Sequence, residues 1–126
     1  MTIVLDASAA YDLITVETCA AKVAEASEFI APDLIVPELL NVRWKVMQSR
    51  SSAPTLKRVL DFLERLRLLP SLVYARDAAA LAESIAHPVY DCLYVAVAQR
   101  EHAKLLTIDE RLSKKLRASK LARILR

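Results

Sequence analysis

The sequence predicts an α/β domain in which a central, mainly parallel sheet of four to five short strands is flanked by helices. Short apolar runs typical of buried strands alternate with longer segments whose apolar residues recur at helical spacing. This alternation indicates parallel strands joined by right-handed crossovers. A chain of 126 residues is long enough to bury one core and too short for two, so we expect a single domain over residues 1–126.

The first half of the chain is predicted to start with a strand and to continue mainly as helices. We assign a strand at 2–5, helices at 8–14 and 17–29, an extended piece at 34–36, and helices at 37–48 and 55–67. Pro37 suits the first turn of its helix, because the N–H that proline lacks would be unpaired there. The polar segment 49–54 then forms the turn between two helices.

The second half contains the segment that we expect to be most deeply buried. We assign a strand signal at 68–74 broken by Pro70, helices at 77–85, from 89 onward and at 109–116, a strand at 104–108, and an edge strand at 121–125. Residues 89–98 are apolar on nearly every helical face, which marks a buried helix.

Composition excludes several classes of protein. The chain is 55% hydrophobic and 26% charged, which argues against disorder, and it contains no apolar run of the roughly 20 residues that span a membrane. Asp6 interrupts the first apolar run with no basic segment before it, so we expect no signal peptide, no membrane partner and a cytoplasmic protein.

The absence of glycine and the spacing of the cysteines and histidines narrow the range of possible functions further. Glycine is absent, which excludes the glycine-dependent phosphate loops of Rossmann and P-loop proteins, and turns are expected to use Pro, Asp, Asn and Ser. Cys19 and Cys92 lack the spacing of a zinc site or a disulfide framework and are expected to be reduced core residues. His87 and His102 also lack metal-ligand spacing, so we expect surface or capping roles for them.

Four carboxylates stand at junctions between apolar elements: Asp6, Glu38, Asp91 and Asp109. Asp91 is the sharpest case, because an unpaired charge buried in an apolar helix costs several kcal/mol. Each acid alone also suits a helix N-cap or first turn. Taken together they favour a site, since Asp6 and Asp109 follow strand-like runs and the carboxyl ends of neighbouring parallel strands share one edge of a sheet.

Several polar and basic residues are predicted to accompany the acids. On the helix that begins at Pro37, Glu38, Asn41 and Lys45 share one face, whereas Trp44 lies on another stripe and is expected in the core or an interface. The chain has a net charge of +3, and its C-terminal segment is rich in Lys and Arg, which suits a polyanionic partner. Candidate contacts are Lys45, Arg111 and Lys114, and a solvated helix face remains the alternative.

The order of the acids resembles that of the PIN-domain nucleases, and it looks closest to the toxin subunit of VapBC-type toxin–antitoxin pairs. The resemblance rests on an acid after the first strand, a Glu opening a middle helix, an Asp opening a buried helix, and a Thr-x-Asp after the next strand. The Pro-Asp-Leu, Pro-Glu and Asn run at 32–41 adds to it. The resemblance implies a three-layer fold, metal-binding and catalytic acids at Asp6, Glu38, Asp91 and Asp109, and supporting polar residues at Ser8, Asn41 and Thr107.

The resemblance also implies a function. We expect a Mg²⁺- or Mn²⁺-dependent endoribonuclease that cleaves RNA phosphodiester bonds as the toxin of a type II pair, forms a homodimer and is blocked by a cognate antitoxin. Carboxylate oxygens without His or Cys suit these hard cations. The antitoxin is expected to dock on apolar helical surface within 8–29 and 55–69.

Three alternatives remain open at this point. The chain could be a non-cleaving PIN-like module that binds RNA or protein. A haloacid-dehalogenase-like phosphatase would need a second Asp where Ser8 stands. A receiver domain would carry several acids just after its first strand, where Asp6 stands alone.

Overall fold

The computed structural model describes all residues, 1–126, and its centre is a four-stranded parallel sheet. The strands are β1 (Thr2–Leu5), β2 (Glu28–Pro32), β3 (Arg67–Leu69) and β4 (Lys104–Leu106), and their spatial order is β3-β2-β1-β4. Every strand pair is parallel. The predicted α/β class, with a sheet of four to five mainly parallel strands, is confirmed.

Seven α-helices flank the sheet: α1 (Ala7–Ile14), α2 (Ala20–Val23), α3 (Ile35–Gln48), α4 (Leu56–Glu64), α5 (Ser71–Ile85), α6 (Val89–Arg100) and α7 (Glu110–Arg117). Helices α1, α3 and α4 pack against one another, whereas α5 packs on α6, which contacts β1, β2 and β4. These two helical groups and the sheet make three layers. None of the helices has the length and apolar character needed to cross a membrane.

The core is built around β1 and α6. Ile3, Val4 and Leu5 are fully buried, and every residue of α6 from Cys92 to Ala98 is buried. The strand is a continuous apolar run because a central strand of a parallel sheet is covered on both faces. The buried helix predicted at 89–98 is confirmed for 92–98, whereas Val89 and Tyr90 in its first turn are exposed. The cysteines at 19 and 92 are buried and unbridged, as predicted.

The helix predicted over 17–29 is largely wrong. Only Ala20–Val23 is helical there, and Glu28 already begins β2, which pairs with β1. The alanine-rich stretch favours a helix, but this propensity is a weak preference that burial of Ile30 against the sheet overrides. The extended piece predicted at 34–36 is also wrong, because α3 starts at Ile35.

Two further assignments differ in the second half. The strand signal at 68–74 resolves into β3 and α5, with Pro70 at the junction, and the helix predicted at 55–67 ends earlier because its last residue pairs with β2 as part of β3. The edge strand predicted at 121–125 is a 3₁₀ turn whose contact with the sheet is a single bridge from Leu125 to β4.

Four residues adopt the left-handed backbone conformation without being glycine: Glu17, Arg50, Ala86 and His102. The expectation that Pro, Asp, Asn and Ser would supply the turns is therefore wrong at these positions. Each left-handed residue with a Cβ costs about 1 kcal/mol. Ala86 matters most, because it ends α5 with φ 53° and ψ 57° and turns the chain into the start of α6.

Asp12 is a buried acid that the sequence pattern did not single out. It lies on α1, and its carboxylate accepts hydrogen bonds from the Thr18 hydroxyl and, at 2.9 Å, from the Cys19 N–H. Burial raises the pKa of Asp12, but these hydrogen bonds outweigh burial and hold its pKa below the usual value. Asp12 therefore holds the turn after α1 and is a structural residue.

Candidate functional site

The carboxyl ends of β1 and β4 meet at one edge of the sheet. Leu5 is paired with Leu106, and the N–H of Asp6 donates to the Leu106 carbonyl at 3.4 Å. Asp6 directly follows β1, and Asp109 lies three residues after β4. The parallel register therefore brings the acids that follow these two strands to the same edge.

Asp6 is 4% exposed and lies at the end of the central strand. Its Oδ1 accepts hydrogen bonds from the Ser8 hydroxyl at 2.6 Å and from the Ala9 N–H at 2.9 Å, so Asp6 also caps α1. Burial raises the pKa of Asp6, hydrogen bonds from Ser8, Thr107 and Ala9 offset only part of this rise, and the charge of Asp91 adds to it. An ionised Asp6 is therefore held at a cost that a nearby cation would relieve.

Two hydroxyl groups connect the strand ends. The Oγ of Ser8 lies 3.4 Å from the Oγ1 of Thr107 and accepts a hydrogen bond from the Ile108 N–H at 3.2 Å. Thr107 Oγ1 in turn accepts one from the Asp109 N–H at 3.0 Å. Ser8 and Thr107 thus hold the segments that carry Asp6 and Asp109 in fixed relation.

Glu38 approaches the edge from the first turn of α3. It is half-buried, and the hydroxyl of the fully buried Tyr94 donates to its Oε1 at 2.5 Å. Burial raises the pKa of Glu38, the hydrogen bond from Tyr94 lowers it, and the charges of Asp91 and Asp6 raise it, with a net rise. Burial and the hydrogen bond to Glu38 raise the pKa of Tyr94 far above its ordinary value, so the phenol remains a donor.

Asp91 lies in the first turn of α6, and its Oδ2 accepts a hydrogen bond from His87 Nε2 at 2.6 Å. The side chain of His87 is only 3% exposed, so the surface or capping role predicted for it is wrong. The left-handed Ala86 and the following Pro88 turn the chain sharply here, and the imidazole lies inside the fold. The ring nitrogen Nδ1 of His87 is buried and has no hydrogen-bond partner.

Asp109 is both a cap and a member of the acidic cluster. Its Oδ1 accepts hydrogen bonds from the N–H groups of Arg111 at 2.9 Å and Leu112 at 3.2 Å, which begin α7. One side-chain ligand atom from each of His87, Asp91 and Asp109 lies within 4.8 Å of the other two. Capping uses one carboxylate oxygen of Asp109 and leaves the other available to a ligand.

The remaining predicted site residues are exposed: Asn41, Lys45, Arg111 and Lys114. Asn41 lines a groove of about 400 Å³ together with Glu38 and the ring of Tyr90, which is 63% exposed. The three cations form no ion pair within the protein. Lys45 lies on α3, which also carries Glu38. Arg111 and Lys114 lie in the first two turns of α7, which begins directly after Asp109.

A second, apolar groove of about 250 Å³ lies where α3, α4 and β3 meet, and it is lined by Val36, Leu60, Leu63, Glu64 and Leu68. Trp44 on α3 is 55% exposed, so it is not a core residue. Within the predicted docking segment 8–29, Val16 is the one exposed large hydrophobic residue. Exposed large hydrophobic residues lie on α3, on α4 and β3 within the other predicted docking segment, 55–69, and at the starts of α5 and α6.

Three site residues, His87, Tyr90 and Tyr94, escaped prediction, although the spacing of two of them carried a signal. His87 stands four residues before Asp91 and Tyr94 three residues after it, which are helical spacings that place side chains on one face. A buried tyrosine also needs a partner for its hydroxyl, which Glu38 provides. Tyr90 carried no such signal, because its exposure depends on how α6 meets α3.

The donor set suits a divalent cation. No Lys or Arg forms an ion pair with any of the four acids, and the one such contact is the imidazole of His87 with Asp91. Burial is the largest cause of the raised pKa values of Asp6 and Glu38, and the charge of Asp91 adds to both. Oxygen donors of this kind favour hard cations such as Mg²⁺ and Mn²⁺.

Known proteins share this sequence pattern and fold. The family model described as PIN domain matches residues 3–117. Ribonuclease VapC3 of Pyrobaculum aerophilum is 32% identical over 127 aligned positions, which cover 94% of this chain and 97% of that protein. The crystal structure of PAE2754 from the same organism superposes with a TM-score of 0.70 at 19% identity, over 91% of this chain and 84% of the other. VapBC2 from Rickettsia felis, crystallised with a DNA fragment from its promoter, has a TM-score of 0.59 at 18% identity, over 90% and 92% of the two chains.

The metal-free protein should become more stable as the pH falls from neutrality toward the ordinary carboxyl pKa. The folded state has raised pKa values at Asp6 and Glu38, so it binds protons more tightly than the unfolded chain does. Stability is therefore lost as the pH rises from the ordinary carboxyl pKa through the raised values. Asp12 has a lowered pKa, so the stability that it contributes is lost as the pH falls, but only below its ordinary pKa of 3.8. Urea denaturation at a series of pH values, with chelator present, measures the slope.

Asp91→Asn provides the matched variant for this slope, because Asp91 contributes to both raised pKa values. We expect the variant to be more stable than the wild type at neutral pH and to show a shallower slope. Loss of more than about 1 kcal/mol in Asp91→Asn would instead identify the acid as a structural cap.

Asp109→Asn and Asp109→Ala should separate the capping role of this residue from its charge. Asparagine caps a helix about as well as aspartate, whereas alanine loses the two N–H acceptor contacts and should lower the free energy of unfolding by about 1 kcal/mol. Equal stability of the two variants in urea denaturation would show that the cap contributes nothing.

Proposed function

This chain belongs to the PIN domain family, and we propose that it is a metal-dependent endoribonuclease that acts as the toxin of a type II toxin–antitoxin pair. The family confirms the resemblance drawn from the order of the acids. The observation that carries the proposal is the convergence of acids without basic partners at the ends of β1 and β4. The likeness to a ribonuclease supports RNA as the substrate.

The residues present fit a Mg²⁺ or Mn²⁺ ion, and we assign Asp6 and Asp91 as its central ligands. Asp91 and Asp109 each keep one carboxylate oxygen free of protein hydrogen bonds. Asp109 completes the set directly or through water. When bound, such an ion lowers the pKa of water and stabilises the charge that develops on a phosphodiester.

The protein's own groups supply the rest of the reaction in this proposal. Water attacks phosphorus as the bond from phosphorus to the leaving oxygen breaks; Glu38 orients this water and accepts its proton, and the leaving oxygen takes a proton from solvent. If a second ion binds, Glu38 would instead be one of its ligands. The raised pKa of Glu38 suits a proton acceptor better than an ordinary carboxylate. Tyr94 keeps Glu38 in place, and Ser8 and Thr107 keep the strand ends in register.

The exposed residues around the site suit a nucleic acid. We assign Lys45, Arg111 and Lys114 to phosphate contacts, which would make binding weaker at high salt. Asn41 and Tyr90 line the groove beside Glu38, where an amide can bond a base edge and an aromatic ring can stack on a base. A phosphatase function is not supported, because Ser8 takes the place of the second phosphatase Asp and donates a hydrogen bond to Asp6. A receiver function is not supported, because Asp6 stands alone directly after β1.

We further propose that a cognate antitoxin restrains the enzyme in the cytoplasm and that the chain forms a homodimer. An amphipathic antitoxin helix suits the apolar groove between α3, α4 and β3. Val36 lines that groove, whereas Glu38, two residues later on α3, lines a different groove on another face, so a basic side chain of the antitoxin would have to reach around the first turn of α3 to meet the acids. The homodimer would cover part of the remaining apolar surface, including Trp44.

Purified protein should cleave RNA with Mg²⁺ or Mn²⁺ and lose this activity with chelator. Asp6→Asn should reduce cleavage to the metal-free background, because it removes a central ligand. Asp77→Asn, on the exposed side of α5, is the matched control and should cleave at the wild-type rate. Cleavage that survives chelation or persists in Asp6→Asn would reject the metal-dependent mechanism, and folded wild type that binds RNA without cutting it would indicate a non-cleaving module.

Expression of the chain alone should arrest bacterial growth, and co-expression of an adjacent antitoxin gene should restore growth, with the two products co-purifying as a complex. Leu60→Glu in the apolar groove should weaken this complex, whereas Leu72→Glu, at a position on α5 that is 86% exposed, should not. Harmless expression of a chain that remains monomeric by light scattering, with no partner, would contradict the toxin assignment.

A further inference from the structure

We propose that His87 is a positioning residue that holds Asp91 through one oxygen and leaves the other oxygen as the ligand for the ion. The inference rests on the proposed metal site. Two observations support it. His87 Nε2 lies 2.6 Å from Asp91 Oδ2, and His87 Nδ1 is buried without a hydrogen-bond partner.

The contact determines which ring nitrogen carries the proton. An ionised carboxylate only accepts hydrogen bonds, so Nε2 of His87 must donate to Asp91. Nδ1 has no hydrogen-bond partner within the protein, so the ring's one side-chain contact is the one from Nε2 to Asp91.

The same isolation argues against His87 as a metal ligand, although it lies within 4.8 Å of Asp91 and Asp109. Binding an ion through Nε2 would move the proton to Nδ1. Histidines that bind metals donate the proton of their other nitrogen to a carboxylate, a carbonyl or water. Nδ1 of His87 has no such acceptor, so the geometry favours positioning over ligation.

The backbone around His87 holds the ring in this place. Ala86 is left-handed, its carbonyl accepts a hydrogen bond from Lys115 Nζ, and Pro88 begins α6 directly after His87. The thiol of the buried Cys92 donates to the His87 carbonyl at 3.8 Å. Because these contacts hold the backbone before and after His87, its ring fixes the orientation of the Asp91 carboxylate.

Mn²⁺ affinity of the full chain, measured by electron paramagnetic resonance without RNA, tests this role. His87→Ala should weaken Mn²⁺ binding about 10- to 100-fold, the usual cost of losing a group that orients a ligand. His87→Gln carries an amide N–H at a similar reach and should recover most of the affinity. Because a glutamine oxygen can also bind Mn²⁺, NMR of the wild-type ring is what distinguishes positioning from ligation. His102→Ala replaces an exposed histidine and should bind as the wild type does.

Comparing Asp91→Asn with His87→Ala distinguishes failure of the proposed metal site from failure of the role proposed for His87. If Asp91→Asn also retains Mn²⁺ affinity, the proposed metal site is wrong; if Asp91→Asn loses it and His87→Ala does not, only the role of His87 is overturned. Nitrogen-15 NMR of the wild-type ring needs no variant to fold. It should show a proton on Nε2 with saturating Mg²⁺ as well as without metal, and loss of the Nε2 proton when Mg²⁺ binds would overturn the inference.

Discussion

The fold depends on one electrostatic constraint, which is negative charge at the end of a fully buried strand. Asp6 follows three residues that have no solvent exposure, and it is itself 4% exposed. The groups around it donate hydrogen bonds but bring no positive charge. Moving a charge into such surroundings without a partner costs several kcal/mol, which is a large part of the stability of a small domain. A cation bound at this edge would remove this cost.

Helix α6 carries a second acid, Asp91, to the same edge of the sheet and holds it there through contacts with the core. It contacts three of the four strands, and its first turn carries Asp91 to the edge where β1 and β4 end. The two side chains that hold acids in place flank Asp91 on the same stretch of chain: His87 bonds Asp91 itself, and Tyr94 reaches across to Glu38 on α3. Because α6 is buried on nearly all sides, these contacts cannot shift independently of the core.

The arrangement of strands and acids follows from the sequence, whereas the contacts between them do not. Apolar runs ending in Asp6 and Asp109 were enough to predict parallel strand ends sharing an edge. The strand β2 could not be predicted, since its helix-favouring neighbours conceal a segment that becomes a strand only by pairing with β1. The role of His87 was hidden for a similar reason, because its burial depends on the left-handed turn at Ala86, a conformation that alanine seldom adopts.

Anomalous X-ray scattering from crystals grown or soaked with Mn²⁺ locates the ion without relying on activity. We expect a Mn²⁺ peak at the carboxyl ends of β1 and β4, within direct bonding distance of Asp6 and Asp91 carboxylate oxygens, about 2.0–2.4 Å. We also expect this peak to be lost in Asp91→Asn crystals. Saturating Mn²⁺ with no peak at that edge, or with a peak only at surface acids elsewhere, would contradict the proposed metal site.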